Sequence, residues 1–468
     1  MLSVHLFCNT NAGFRGIARC YGEFQKYFEI RTVSFCCIRQ WTLRLGYGLL
    51  HRETQRRTDW IYIIDFSIQL GKERCLLILG ATRQSSIENG YELKHHQVRV
   101  LDIYVRESFT GDVVRERLEA AQNKTGPPYQ IISDKGNDVR KGIDLFCSKH
   151  KSVIATYDVT HMIGIFIKHG LRSDLQWLCL QEDLSNLVQQ VKQSDVSFLR
   201  PIALGKKSKW LNIKQTIDWL GNIYRYQEKA DYSLIATGYK ISNHRGVYEK
   251  LKSRCQNKYD EKRLQKELAT TIFPEKEKAV EWLTEKGYAH LEGIQFIDAG
   301  KARFDEKFIV LEKHRPFFEQ LQQLNRMAEN IKGSIRNKGL SLETLQELEK
   351  EHDNITYPWI RQVYYNIVNS LQNEHAKCGA DPRPLLCCSD VIESIFGKFK
   401  MKAKQPVGGI YETVLSIALI CADLTDEATK EILLKVKMSD VTNWFRSMAG
   451  VSNLAKRRIA FGQTYQHN

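Results

Sequence analysis

The chain has 468 residues, 43% of them hydrophobic and 10% aromatic, which is enough to bury a sizeable core and excludes a disordered chain. Its 69 Lys and Arg exceed its 54 Asp and Glu by a formal charge of +15, which favours a polyanionic partner, either nucleic acid or an acidic membrane surface. The longest apolar stretch, residues 414–422, is far shorter than the roughly 20 residues that a membrane-spanning helix needs. We therefore expect no membrane span.

The 12 cysteines of the chain include no C-x-x-C pair. Adjacent cysteines, as at Cys36-Cys37 and Cys387-Cys388, have poor geometry for a disulfide framework or for zinc. The first residues also lack the basic leader and the long apolar region of an export signal. These features predict reduced thiols in a cytoplasmic protein.

The N-terminal region predicts a helix-turn-helix. Residues 12–28 are compatible with a helix, residues 29–34 interrupt it, and Ser34 can cap a second helix over 35–45. Three polar side chains of the second helix suit a major groove, because Arg pairs with guanine and Gln pairs with adenine: Arg39, Gln40 and Arg44. The alternative is that both helices are amphipathic and simply pack on the elements that follow.

After a basic connector at residues 51–57 the pattern changes to alternating strands and helices. The predicted order is β-β-β-α-β-α-β-α, over residues 60–70, 74–81, 97–105, 111–123, 129–134, 138–148, 152–158 and 159–170. Residues 171–385 are almost wholly helical in pattern and rich in charge. A last notable helix opens at Ser389.

Two aspartates occupy unusual places in these predicted strands. Asp65 lies in the middle of the first strand among isoleucines that indicate burial, where an ionised carboxylate is costly unless it is paired or holds a metal ion. Asp134 ends the fourth strand. Each has an alternative: a shifted boundary would place Asp65 at a strand end, and Asp138 competes with Asp134 but suits a helix N-cap.

A third acid lies on the helix that opens at Ser389. Its apolar face carries Val391, Ile392, Ile395, Phe396 and Phe399. Its polar face carries Asp390, Glu393, Gly397, Lys400 and Lys404. If the apolar face packs on the sheet, Glu393 overlooks the two aspartates, whereas Asp390 on the same face could simply favour the helix N-terminus.

Three motifs make the chain resemble the DDE-type DNA transposases in which a helical insertion interrupts the catalytic core. The segment "ISDKGNDV", which contains Asp134, is similar to the second-aspartate motif of these enzymes. The segment "YDVTH", with Asp158 and His161, matches the D-x-x-H element that follows the fifth strand in many cut-and-paste families. Glu393 and Lys400 match half of the signature of some bacterial insertion-sequence enzymes, although the Tyr and Arg of that signature are absent here.

The resemblance implies an RNase H-like fold: a mixed five-stranded α/β sheet with flanking helices, a large all-α insertion and an N-terminal helix-turn-helix. In that fold the first and fourth strands are neighbours, so Asp65 and Asp134 would meet. The implied segments are a DNA-binding helix-turn-helix with its basic linker, the first part of the catalytic core, the helical insertion, and the last part of the core with basic C-terminal helices, over residues 1–57, 58–170, 171–385 and 386–468.

The resemblance also implies catalysis by Asp65, Asp134 and Glu393 as ligands of two Mg²⁺ ions roughly 3.5–4 Å apart, with Mn²⁺ able to substitute. Asp65 would bridge both ions, while Asp134 and Glu393 would each hold one. Water would first cleave the transposon end and expose a 3′-hydroxyl, which would then attack target DNA. Asp158 and His161 would support this site, or would be a structural hydrogen-bonded pair at a helix start.

The implied partners are the transposon terminal inverted repeats and target DNA, held by a homo-oligomer at the nucleoid of a bacterial cytoplasm. Lys400 and Lys404 would contact DNA phosphates, unless they are only a solvated face. Trp210 in the insertion would stack on a flipped base or hairpin, unless it is a core aromatic. Two other functions stay open: an RNase H-like nuclease or resolvase without strand transfer, and an inactive transposase-derived DNA-binding protein.

Overall fold

The computed structural model describes residues 2–70, 73–201, 212–288, 294–379, 381, 383–402, 412–449 and 453–462. The chain divides into two compact units. The first unit comprises Met1–Ile163, Glu329–Asn354 and Tyr364–Asn468, and the second comprises Gly164–Ala328 and Ile355–Val363. The predicted insertion at 171–385 therefore contributes residues to both units.

The helices and strands alternate in the first part of the chain and are mostly helical afterwards. Up to the end of the main sheet they are α1 (Leu2–Asn9), α2 (Phe14–Phe24), α3 (Phe35–His51), β1 (Trp60–Leu70), β2 (Glu73–Thr82), α4 (Arg83–Glu88), β3 (Arg99–Arg106), α5 (Gly111–Thr125), β4 (Gln130–Ser133), α6 (Asn137–Lys149) and β5 (Ile154–Tyr157). The next are α7 (Val159–Leu171), α8 (Leu175–Val191), α9 (Asn212–Lys229), β6 (Tyr239–Ile241), α10 (His244–Leu251), α11 (Lys258–Thr270), α12 (Lys276–Glu285), β7 (Phe296–Asp298), α13 (Ala299–Phe308), α14 (Arg315–Lys338), α15 (Leu342–Glu351) and α16 (Pro358–Ala376). The last are α17 (Asp390–Lys402), α18 (Ser416–Ile420), α19 (Asp426–Lys435), α20 (Met438–Ala449) and α21 (Asn453–Ala460).

Five strands of the first unit form one mixed sheet in the order β3-β2-β1-β4-β5. β2 runs antiparallel to both β1 and β3, whereas β4 runs parallel to β1 and β5 runs parallel to β4. This mixed five-stranded sheet with flanking helices is the RNase H-like arrangement. It confirms the predicted α/β fold class and the prediction that the first and fourth strands are neighbours.

Each face of the sheet packs against its own set of helices, because successive side chains of a strand point to opposite faces. On one face, Tyr62 and Ile64 of β1 pack with apolar side chains of α5 and α6. On the other face, Ile61 and Ile63 pack with apolar side chains of α3, α17 and α18. The sheet is thus buried on both sides, which explains why β1 reads as a nearly continuous apolar run.

The second unit is mainly helical, but it is not all-α as the sequence predicts. β6 and β7 form a small antiparallel pair, in which Tyr239 lies opposite Asp298. Strands of three residues are too short to show an alternating pattern, so the sequence carried no signal for them. A separate apolar cluster packs α10, α11 and α12 beside this pair and includes Leu264, Leu268 and Leu283.

The N-terminal helices pack into the first unit. Ser34 caps α3 by accepting a hydrogen bond from the backbone N–H of Cys37 at 3.2 Å, as predicted. Leu43 and Leu50 of α3 belong to the core cluster of the sheet face that also contains α17. No helix within the described ranges is both long and apolar enough to cross a membrane.

Candidate active site at the carboxyl end of the sheet

Asp65 and Asp134 follow paired residues of two neighbouring strands. In the parallel ladder of β1 and β4, Ile64 lies opposite Ser133. Asp65 is the next residue after Ile64, and Asp134 is the next residue after Ser133. Because neighbouring strands are about 4.8 Å apart, this register brings the two aspartates side by side. The structure thus places together two of the three predicted carboxylates.

Asp65 lies where the burial of β1 ends. The four preceding residues, Ile61 to Ile64, are no more than 1% exposed, whereas Asp65 is only half-buried. Alternation along the strand puts Asp65 on the same face as Ile61 and Ile63, which is the face covered by α17. Desolvation of the carboxylate is therefore smaller than the sequence suggests, and its side chain belongs to the side of the sheet on which Glu393 lies.

The loop after β4 is fixed by the carboxylate of Glu374, for which the sequence pattern gives no signal. Lys135 has a left-handed backbone, with φ of 54°. Its ammonium lies 2.7 Å from a carboxylate oxygen of Glu374, a residue of α16 that is only 5% exposed. The other oxygen of Glu374 accepts a hydrogen bond from the backbone N–H of Tyr157 at 3.1 Å. Glu374 thus ties the residue after Asp134 to the end of β5.

Asp134 itself organises the turn that leads into α6. Its Oδ1 accepts a hydrogen bond from the backbone N–H of Gly136 at 2.9 Å. The competing residue, Asp138, is not the N-cap that the sequence predicts, because Gly136 occupies that position and Asp138 lies inside the first turn. The Asp138 carboxylate is 3.8 Å from the guanidinium of Arg74. Only Asp134 follows the strand position that pairs with β1.

Glu393 lies in the first turn of α17, and the predicted apolar face of this helix is confirmed. The residues of this apolar face pack with Ile61 and Ile63 of β1 in one buried cluster. They are Val391, Ile392, Ile395, Phe396 and Phe399. Since this is also the face of Asp65, the helix carries Glu393 on the side of the sheet where the aspartates lie. Its position in the first turn also suits a negative charge, because the helix dipole is positive there.

The D-x-x-H segment connects the end of β5 to α17. Asp158 is fully buried, and its Oδ1 accepts a hydrogen bond from the backbone N–H of His161 at 2.8 Å. Its Oδ2 accepts hydrogen bonds from the backbone N–H and the hydroxyl of Ser389, at 2.6 and 2.7 Å. The ring Nε2 of His161 lies 3.2 Å from Oε1 of Glu393. Asp158 therefore positions the start of α17, and His161 contacts the acid on that helix.

The hydrogen bonds of Asp158 explain how its carboxylate can be fully buried. Burial raises the pKa of Asp158 above its ordinary value, and nearby His161 and the hydrogen bonds from Ser389 oppose this rise. Three donors satisfy its two oxygens. A carboxylate saturated in this way is suited to hold structure in place rather than to bind a metal ion.

Asp390, the alternative to Glu393, is neutralised within the chain. Its Oδ2 lies 3.1 Å from the ammonium of Lys332 and 3.9 Å from the guanidinium of Arg336. The Thr160 hydroxyl also donates to its Oδ1 at 3.4 Å. Burial lowers the pKa of Lys332, but Asp390 more than offsets this effect and the pKa is raised overall. These contacts favour Glu393 as the third functional acid.

Asp65, Asp134 and Glu393, here called the carboxylate site, offer only oxygen donors, which is the chemistry that Mg²⁺ prefers. Within the described residues, a second set of potential ligands lies in the second unit. Its Cys, Asp and His ligand atoms all lie within 4.8 Å of one another.

The residues predicted to bind DNA fall into three groups. Gln40 and Lys400 are exposed and Arg39 is half-buried. Arg44 instead donates hydrogen bonds from its guanidinium to the backbone carbonyls of Leu433 and, at 2.6 Å, Val436. It therefore holds the end of α19 against α3, which agrees with the packing alternative for this helix. Lys404 and Trp210 lie outside the described residues.

Comparison with known proteins gives a likeness in structure but none in sequence. No protein-family model matches the chain, and no curated protein matches it in sequence. Among solved structures, the chain is similar to the Drosophila P element transposase strand transfer complex, with 11% sequence identity and a TM-score of 0.34. The similarity covers 91% of this chain and 92% of that chain. The function proposed below rests on the residues of this chain.

Proposed function

We propose that the chain is a DDE-type DNA transposase, which cleaves DNA at transposon ends and transfers the resulting 3′-hydroxyl into target DNA. The observation that carries the proposal is the in-register pairing of β1 and β4, which sets Asp65 beside Asp134 on the side of the sheet covered by the helix of Glu393. Acidic side chains contributed by two neighbouring strands and a covering helix give a set of oxygen donors at one end of the sheet. Such donors suit metal-dependent phosphodiester chemistry.

Asp65, Asp134 and Glu393 would hold the divalent ions, Mg²⁺ or in its place Mn²⁺. When bound, such ions stabilise the charge that develops on the attacking and leaving oxygens of a phosphodiester. The chain's own contribution is positional: Asp158 holds the first turn of α17 against the end of β5, and His161 orients the carboxylate of Glu393. Pre-organisation of this kind removes much of the cost of assembling a catalytic site.

A DNA strand would reach the site along the polar face of α17. Gly397 and Lys400 are exposed on the same face as Glu393. A Cβ added at Gly397 would meet nothing within 4 Å, so packing does not require a glycine there. Glycine in a helix costs about 1 kcal/mol relative to alanine, and close approach of a DNA backbone is a reason to keep it. The Lys400 ammonium would pair with a phosphate.

The test is a joining assay with the purified full chain, supercoiled plasmid and a pre-cut DNA end taken from the flanks of the gene. We expect Mg²⁺-dependent joining of the end to the plasmid, abolished by EDTA and by Glu393→Gln. Mg²⁺-dependent nicking without joining would overturn the transposase proposal in favour of a nuclease or resolvase. DNA binding with neither reaction would favour an inactive DNA-binding protein.

Because two ends must be held together, joining should also require a homo-oligomer, which light scattering of the DNA complex would show.

A further inference from the structure

The second unit contains a cluster of three potential metal ligands, which we call the cysteine cluster: Cys179, Asp183 and His314. Cys179 and Asp183 are four residues apart on α8, so they lie on one face of the helix. His314 immediately precedes α14. One ligand atom from each residue lies within 4.8 Å of the other two. Oδ2 of Asp183 is 2.7 Å from Nε2 of His314 and 3.8 Å from Sγ of Cys179.

The three residues differ in burial, as expected for a site that is open to solvent on one side. The His314 side chain is 5% exposed and that of Asp183 is 16% exposed, while Cys179 is half-buried. Sulfur, nitrogen and oxygen at this spacing form the mixed donor set that Zn²⁺ accepts, with metal–ligand distances of about 2.0–2.3 Å. Tetrahedral coordination at those distances separates neighbouring ligand atoms by about 3.3–3.6 Å, so only small side-chain movements are needed.

A cation already lies among these ligands. The ammonium of Lys313 is 2.7 Å from Oδ2 of Asp183, the same oxygen that contacts His314. Asp183, and with it the nearby sulfur of Cys179, raises the pKa of Lys313. The Lys313 side chain is 52% exposed, so its ammonium can move into solvent when another cation arrives.

We propose that Cys179, Asp183 and His314 bind one zinc ion, with water in the fourth position, and that Lys313 is its intramolecular competitor. The ion would join α8 to the turn that precedes α14 and so stabilise the second unit. A single cysteine joined by an aspartate and a distant histidine leaves no spacing motif, so the sequence gives no signal for this group. The proposal is independent of the function proposed for the carboxylate site.

Replacing Lys313 should strengthen metal binding, whereas replacing a ligand should weaken it, and the test uses both effects. Co²⁺, a spectroscopic substitute for Zn²⁺, is titrated into the metal-free full chain, and absorption is followed in the thiolate-to-cobalt charge-transfer region. We expect one equivalent to bind with a charge-transfer band. Cys179→Ser should remove the band, and Asp183→Asn or His314→Gln should weaken binding by about 100-fold. Lys313→Met should strengthen binding by about tenfold, since it removes a competing charge.

The matched control is Cys255→Ser, which alters another half-buried cysteine of the same unit and should leave the band unchanged. The Ser variants conserve shape, and the urea midpoint of each variant is recorded without metal to confirm that it is folded. No band in either the wild-type chain or Lys313→Met would overturn the proposal and leave the cluster as a buried ion pair. A band that persists in Cys179→Ser or disappears in Cys255→Ser would overturn it as well.

Discussion

The carboxylate site and the cysteine cluster differ in how the chain assembles them. The carboxylate site takes its acids from two strands and a helix that are far apart in the sequence, and additional residues hold those elements in register. The cysteine cluster takes two of its three residues from one helical turn, so local geometry alone brings them together. A long-range site thus depends on positioning residues, whereas a local one depends on its own helix.

The two sites differ equally in donor chemistry. The carboxylate site has only hard oxygen donors, which suit Mg²⁺ and Mn²⁺. The cysteine cluster combines a thiol, an imidazole and a carboxylate, which suit Zn²⁺. We therefore expect the two sites to select different ions and to serve different purposes, catalysis in the first unit and stability in the second. Variants of the first unit test the catalytic half of this contrast.

Removal of a charge from the carboxylate site should have the largest effect. Asp65→Asn, Asp134→Asn and Glu393→Gln each lose a metal-binding oxygen charge, so Mg²⁺-dependent DNA nicking should fall by about 10³-fold or more. Plasmid nicking measured under single-turnover conditions gives the rate. Asp138→Asn is the matched control and should cleave at nearly the wild-type rate. Equal losses at Asp138 and Asp134 would mean that the second acid has been misassigned.

Asp158→Asn tests whether Asp158 positions the helix of Glu393 or only caps a helix. Asp158→Asn weakens hydrogen bonds to a charged acceptor and should cost about 2–3 kcal/mol of unfolding free energy. It should also raise the Mg²⁺ concentration needed for nicking by about 10- to 100-fold, because the helix of Glu393 is no longer held. Urea unfolding and a Mg²⁺ titration of nicking provide the two readouts.

The control for Asp158 is Asp174, which caps α8 by accepting a hydrogen bond from the backbone N–H of Trp177 at 2.8 Å. Asp174→Asn should cost less than about 1 kcal/mol, since Asn caps helices nearly as well as Asp. Its Mg²⁺ dependence should match that of the wild-type chain. If Asp158→Asn changed stability alone, as Asp174→Asn does, Asp158 would be only a structural cap.

The Glu374 carboxylate should have a smaller effect of the same kind. Glu374→Gln removes the ionic partner of Lys135, which loosens the loop after Asp134 and should raise the Mg²⁺ midpoint of nicking by about tenfold. Glu349→Gln is the matched control, because Glu349 is exposed and its carboxylate accepts a hydrogen bond from the side-chain amide of Gln372 at 2.7 Å. An unchanged Mg²⁺ midpoint in Glu374→Gln would show that the loop does not depend on this contact.

Gly397→Ala should have the smallest effect, and its two consequences have opposite signs. The added methyl group meets no neighbouring atom, so the helix should gain about 0.5–1 kcal/mol in unfolding free energy. If a DNA backbone approaches α17 at this point, the same methyl group should weaken DNA binding a few-fold. Chemical denaturation and fluorescence anisotropy measure the two quantities. A stabilised variant with unchanged DNA affinity would move the DNA path away from this face.

Much of the first unit could be predicted from the sequence, because its signals are local. Alternation and apolar runs define β1 to β5 to within a few residues. The side of α17 that carries Glu393 follows from helical periodicity, which correctly assigns five apolar residues to the core: Val391, Ile392, Ile395, Phe396 and Phe399. The neighbouring positions of Asp65 and Asp134 follow once the strand order is known.

The features that could not be predicted depend on contacts between distant segments. The sequence predicts Arg44 to be a base-reading residue, but in the fold its guanidinium binds carbonyl oxygens at the end of α19. Glu374 is one of many acids in a charged helical region, and only the fold shows it buried against Lys135. His314 likewise acquires its partners only through packing. Periodicity describes which face of an element is apolar, but not which buried charge meets which partner.

Manganese binding, followed by electron paramagnetic resonance, tests whether Asp65, Asp134 and Glu393 form one metal site, and it needs no knowledge of the DNA substrate. The free Mn²⁺ signal is recorded as the ion is titrated into the wild-type chain, the Asp138→Asn control and variants of the carboxylate site. We expect Mn²⁺ binding by the first two proteins and its loss in Asp65→Asn, Asp134→Asn and Glu393→Gln. Equal Mn²⁺ binding by all of these proteins would contradict the claim that the three acids form a common metal site.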